Sequence, residues 1–272
     1  MTARNAYATV TQLKAFMPNS SNIDTATAEL DLEAASREFD KQSGRIFYPT
    51  IKTNLYDTPK KNHLVFHDDL LEMLTFTNGD GTEIESTNYK LWPYNSTPKY
   101  QIELRPLSSV YFEFSSTYSS MAAISALAIW GYHERYDLAW STGSTLSAAI
   151  ATTSATSVTI TSETLFAAGQ IIRIDDELLL VDTVTTLTHT LTFQRGWNGS
   201  TAATHDNGAT VTIWTPEPMA TKGVLIQTAR LYNRKDTPLG STGGGEMGVQ
   251  PVVLSKLDPD VQRMAESFRS RF

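Results

Sequence analysis

The chain has 272 residues, 40% of them hydrophobic and 19% charged, no cysteine and a formal net charge of −7. That length supplies one large domain or two modest ones, and without a thiol it builds neither a disulfide scaffold nor a thiolate zinc site. The carboxylate excess is the wrong sign for a protein that grips nucleic acid by neutralising phosphates, and no stretch from Met1 to Phe16 or beyond predicts a secretory signal or a membrane span.

Thr9 or Thr11 predicts a cap for a short helical turn through Gln12 to Phe16, ended by Pro18. Asp24 then caps a longer helix whose Ala28, Leu32, Ala35 and Phe39 recur at i, i+4, i+7 and i+11, with Gly44 as its left-handed end. From Arg45 the period changes. Leu64-Val65-Phe66, Leu74-Thr75-Phe76, Tyr89 to Trp92, Gln101 to Leu104, Val110 to Phe114 and Ala122 to Trp130 are predicted strands of a small sheet, with Asn78-Gly79-Asp80-Gly81 as a turn.

Residues 141–215 differ in composition, since 26 of these 75 are Ser or Thr and only two are basic. Five strands are predicted there: Ser157–Thr161, Gln170–Ile174, Glu177–Val181, Thr190–Gln194 and Ala209–Trp214. They predict a small barrel or sandwich, with Ile172, Ile174, Leu178 and Leu180 as its buried positions. Pro216-Glu217-Pro218 starts a further helix ending at the basic Arg230, Arg234 and Lys235, and Pro238 stops it. Leu239 to Gln250 holds five glycines and is predicted to be a loop. Asp258-Pro259 opens a last helix. The fold class predicted is α+β: residues 1–140 and 216–272 form a core of a small helical bundle with an accompanying sheet, and 141–215 form an inserted all-β barrel or sandwich.

No catalytic constellation emerges from the sequence, so neither an enzyme nor a cofactor is expected. His63 and His67 are four apart beside Asp68 and Asp69, which on a helix is a metal-ligand spacing, but the intervening residues favour a strand. Asp175-Asp176-Glu177 reads as a hairpin tip. Lys222, Arg230 and Arg234 leave similar sides of their helix and face either DNA or an acidic partner, or simply complement the helix dipole. On the last helix, Val261, Met264 or Ala265, Phe268 and Phe272 form an apolar stripe beside Arg263, Arg269 and Arg271. That pattern suits insertion into a partner's groove, or packing back on the chain's own domain.

The stretches Tyr7 to Lys14, Leu32 to Asp40 running into Gly44-Arg45-Ile46-Phe47-Tyr48, Asn88 to Pro93 and Leu231 to Lys235, in this order, resemble the head-tail connector (adaptor, or head-completion) proteins of long-tailed bacteriophages. The resemblance covers residues 1 to about 138 and 216–272; the inserted segment departs from it, although Gln194 to His205 is similar to β-modules of phage structural proteins. The resemblance implies a homo-oligomeric ring, usually of twelve subunits, in the virion neck, assembled in the host cytoplasm. It implies docking on the portal protein, a downstream neck or tail-completion partner, and passage of genomic DNA through an acidic channel without sequence-specific binding. Under it, Val261, Met264, Phe268 and Phe272 fill the portal's groove while Arg263, Arg269 and Arg271 pair with its carboxylates. Two other readings stand beside it: a carbohydrate- or surface-binding module using Trp197 and Trp214 as stacking platforms, and a metal-dependent hydrolase built on His63, His67 and Asp68.

Overall fold

Local chemistry sets the helix ends. In the computed structural model, which describes residues 2–17, 23–106, 109–117, 119–234 and 257–269, helix α1 (Val10–Phe16) starts at Thr9 with a reciprocal capping box. The Gln12 amide donates to Thr9 Oγ1 at 3.2 Å and the Thr9 amide donates to Gln12 Oε1 at 2.8 Å. Helix α2 (Thr25–Ser43) is capped by Asp24, whose carboxylate accepts the Thr27 amide at 2.9 Å, and ends on Gly44 at φ 72°. The stripe read from its spacing is its core face: Ala28, Leu32, Ala35 and Phe39 are at most 1% exposed.

Helices α3 (Pro218–Arg234) and α4 (Pro259–Ser267) both pack on α2 and on each other. Gly223 permits the approach, because a Cβ there would lie 2.7 Å from Phe39 Cε2. Edge-to-face rings fill the middle: Phe47 lies 5.4 Å from Phe39, 5.4 Å from Tyr132 and 5.0 Å from Phe268.

The first sheet contains β1 (Thr50–Tyr56), β2 (His63–Thr77), β3 (Tyr89–Trp92), β4 (Lys99–Leu104) and β5 (Ile124–Trp130), antiparallel in the order β1-β5-β2-β4-β3. The predicted strands at Leu64–Phe66 and Leu74–Phe76 are two parts of the single β2, whose beginning pairs with β4 and whose end pairs with β5. Register breaks between Val65 and Leu70 let it turn from one partner to the other. Val110 to Phe114, a predicted strand, is irregular: the Asn78 side chain takes the place of a ladder, donating to Tyr111 O and accepting from the Glu113 amide, both at 2.8 Å.

The second sheet is built wholly from residues 140–214: β6 (Trp140–Thr145), β7 (Ser157–Thr159), β8 (Ile171–Ile174), β9 (Glu177–Thr185), β10 (Thr190–Gln194) and β11 (Thr210–Trp214), in the order β6-β11-β8-β9-β10-β7. Its two end strands then meet. Leu146 bridges Ile160, the Ser147 amide donates to Thr159 O at 3.0 Å, and the Thr161 amide donates to Thr145 O at 2.9 Å, so the sheet closes into a small barrel. The expected inward residues are corrected by one position on β9. Ile172 faces Leu179 across the ladder, and Leu179 and Val181 fill the barrel with Ile172 and Ile174. Leu178 and Leu180 point the other way and are buried there, which made β9 apolar on both faces and hid its register.

Candidate functional site

The inward face of β9 begins with a charge. Glu177 pairs with Ile174, so its side chain points into the end of the barrel and is 1% exposed. The carboxylate is fully bonded there. Arg195 donates to it from Nε and Nη2, each at 2.7 Å, the Gly196 and Ala203 amides donate at 3.0 Å, and His205 Nε2 lies at 2.9 Å. The second His205 nitrogen faces Asp175 at 2.7 Å. Burial alone would raise the Glu177 carboxyl; the bonds from Arg195, Ala203, His205 and Gly196 overcome it and hold the value at about 2. The predicted hairpin tip is therefore Asp175 and Asp176 only, and Glu177 is an interior residue.

This knot shapes the loop between β10 and β11, and the loop clasps the rest of the chain. Trp197 donates its indole N–H to Asn5 Oδ1 at 2.7 Å, and Asn198 donates to Asn5 Oδ1 at 3.0 Å and to Pro49 O at 2.8 Å. Gly199 at φ 87° sits where any Cβ would collide with the Ile51 carbonyl. Beside the clasp, Trp214 donates to Phe47 O at 3.1 Å, and Glu72 accepts from Tyr136 at 2.7 Å while Arg173 approaches it at 3.5 Å. Leu71, Ile129, Ala139, Ile171 and Trp214 close the apolar part of this seam between barrel and sheet. Trp214, at 4% exposure, is thus unavailable as a stacking platform, and the Trp197 indole is committed to Asn5 with Arg4 over its ring.

The apolar stripe of the terminal helix packs back on the chain's own domain, the second of its two expected places. Val261 and Phe268 are 1% and 6% exposed and, with Ala265 and the partly buried Met264, pack into the core of α2 and α3. These side chains fill the chain's own groove, because the ring set around Phe47 offers them a complete apolar surface. The helix ends at Ser267 instead of running on to Phe272, and Phe272 and Arg271 lie outside the described residues, as do Lys235, Pro238 and the glycine-rich stretch 239–250. Outward, α4 presents Arg263, paired with Asp260 at 2.9 Å, and Glu266, and Arg269 follows just past its end.

The α3 cations do not form one outward row. Lys222 lies 4.4 Å over the Phe16 ring, Arg230 approaches Asp258 at 3.8 Å, and Arg230 and Arg234 are half-buried. His63 and His67 lie on β2; His67 stacks on Tyr56 at 6.1 Å, and Asp68 is taken by Lys52 at 2.9 Å and Asn54 at 2.8 Å. Among the described residues no three His, Asp or Glu side chains converge on a common metal position, and no helix is long and apolar enough to cross a membrane. No protein-family model matches the chain, and no curated protein is significantly similar to it.

Proposed function

We propose that the chain is a structural subunit of the neck of a long-tailed bacteriophage, forming a ring, the twelvefold one of the connectors it resembles, between the portal and a downstream neck or tail-completion protein. One observation carries this reading: three of the four stretches that resemble the connectors, Tyr7 to Lys14, Leu32 to Tyr48 and the one that begins at Leu231, come together as one unit, while Asn88 to Pro93 lies apart at the edge of the first sheet. Tyr7 donates its hydroxyl to Asp40 and accepts the Phe47 amide at 2.9 Å, Tyr232 accepts the Asp24 amide at 2.8 Å, and α4 closes the same core. The two ends of the chain thus make one helical platform, from which the sheet and the barrel project.

In this role the platform meets the portal through charge. Arg263 on the outer side of α4 and Arg269 just past its end pair with portal carboxylates, while Val261, Met264 and Phe268 hold the helix in place. The test is co-purification of the full chain with a portal ring from the same genome, followed by the mass of the complex in solution and its image by electron microscopy. A ring of this chain coaxial with the portal supports the reading. A chain that stays monomeric and ignores the portal at high concentration overturns it.

A further inference from the structure

Three parts of the chain meet around one cavity. Its walls come from the N-terminal segment with the start of α1, from the barrel, and from the first turns of α3, and its volume is about 480 Å³. Small-molecule sites span roughly 300–1,000 Å³ and favour such joins between packed units.

The floor is apolar. Tyr7, Ile171, Ile213 and Trp214 line it, each at most 6% exposed. The two that carry polar atoms spend them elsewhere, since the Tyr7 hydroxyl donates to Asp40 and the Trp214 indole to Phe47 O. What these four leave to the cavity is hydrocarbon and ring surface. The mouth is polar: Gln12, Thr215 and Lys222 are exposed there, and Thr221 is half-buried.

Lys222 is the one charged side chain among the lining residues, and no carboxylate stands on any wall, in a chain whose net charge is −7. Its ammonium lies 4.4 Å over the Phe16 ring. A ring contact of this kind leaves N–H donors for an oxyanion. An apolar floor with a single cation at the mouth matches a molecule that is hydrocarbon at one end and singly negative at the other. A cationic amphiphile meets Lys222 with the same sign, and a polyanion carries further charge towards the apolar floor, where burial penalises it.

We infer that this cavity binds a medium-chain carboxylate, its hydrocarbon laid on Tyr7, Ile171, Ile213 and Trp214 and its headgroup held by Lys222 with the Thr221 hydroxyl beside it. The inference goes beyond the neck reading and does not depend on it. Because the walls belong to both barrel and platform, a bound molecule stabilises their junction by mass action.

The experiment is isothermal titration of the full chain with sodium octanoate below its micelle concentration. Octanol and octyltrimethylammonium serve as the neutral and cationic molecules of the same chain length, and thermal unfolding is followed in parallel. One octanoate per chain is expected, with an unfolding midpoint that rises with its concentration. K222Q should weaken octanoate about fivefold and leave octanol unchanged. T221W places an indole in the cavity and should abolish binding of both. Each variant is also melted without ligand, which separates lost binding from lost fold, and K222Q alters only an exposed side chain, so it decides the matter even where T221W does not fold. Absence of saturable binding, an octanoate isotherm unchanged in K222Q, undiminished binding by a folded T221W, or equal affinity for octyltrimethylammonium overturns the inference.

Discussion

Asn5 and Asn198, 193 residues apart, exchange side-chain amide bonds in both directions, each at 3.0 Å, and both have left-handed backbones, at φ 53° and 49°. Asparagine is among the few side chains that tolerate this conformation, so one residue type supplies both the turn and the bond at each position. Asn5→Gly and Asn198→Gly keep the backbone and remove the bonds. Each is expected to cost about 1 kcal/mol, with the double variant losing less than the sum by about 0.5–1 kcal/mol. Asn198→Ala adds about 1–2 kcal/mol of strain. Urea unfolding of the four proteins measures the cycle, and strict additivity would mean that the clasp does not couple barrel to platform.

The ends of this clasp could not be read from the sequence, whereas the helices could. Thr9, Asp24, Gly44 and Asp258 act through neighbours within a turn, and the stripe Ala28-Leu32-Ala35-Phe39 needs only helical geometry. The clasp instead depends on strand pairings that bring Glu177, Arg195 and His205 together, and no local rule reports them. One signal was present: Glu177 directly precedes Leu178-Leu179-Leu180-Val181, and a carboxylate that starts a strand apolar on both faces has little chance of reaching water. Strand β6, Trp-Ser-Thr-Gly-Ser-Thr, was missed because it is polar and barely alternates; its place is set by pairing with β11 and by closure of the barrel.

Glu177 supplies a prediction with a defined sign. Its folded value, about 2, lies below the ordinary 4.5, so the stability it contributes is complete above about pH 4.5 and is lost as pH falls through 2. The full amount is roughly 3 kcal/mol, at 1.36 kcal/mol per unit. Glu177→Gln leaves the Arg195 guanidinium buried without its charge partner and is expected to cost about 3–5 kcal/mol near neutral pH. Denaturant unfolding between pH 7 and pH 3 should show the acid-side slope reduced in the variant; an identical slope in both proteins would exclude Glu177 as its source.

Asp40 has the opposite sign. Burial raises its carboxyl to about 6, against the opposing effects of the Arg37 guanidinium and the Tyr7 hydroxyl. A folded value above the unfolded 3.8 means that its contribution is complete below about pH 3.8 and is lost as pH rises through 6, a change of roughly 3 kcal/mol. Asp40→Asn mimics the neutral form and should flatten the stability profile between about pH 4 and pH 7. With Glu177 acting on the acid side and Asp40 on the neutral side, the parent protein is expected to show a maximum where the two windows overlap, near pH 4. Thermal melts across that range test it, and a profile that still rises from pH 4 to pH 7 would contradict the assignment of Asp40.

The terminal helix divides into a face that holds the fold and a face available to a partner, and two variants separate them. Phe268 touches Phe47 at 5.0 Å, Tyr132 at 5.4 Å and Phe39 at 6.2 Å. Phe268→Ala empties the centre of the ring set and is expected to cost about 3–5 kcal/mol, lowering the unfolding midpoint of the isolated subunit. R263E/R269E changes only the exposed side, where surface substitutions stay within about 0.5 kcal/mol, and should leave unfolding unchanged while weakening capture by the portal. The contrast is diagnostic. If the arginine variant is captured as well as the parent, portal contact does not run through α4. If Phe268→Ala unfolds like the parent yet loses the portal, the aromatic side chain leaves its core to dock, and the helix acts as the groove-filling element that its stripe predicts.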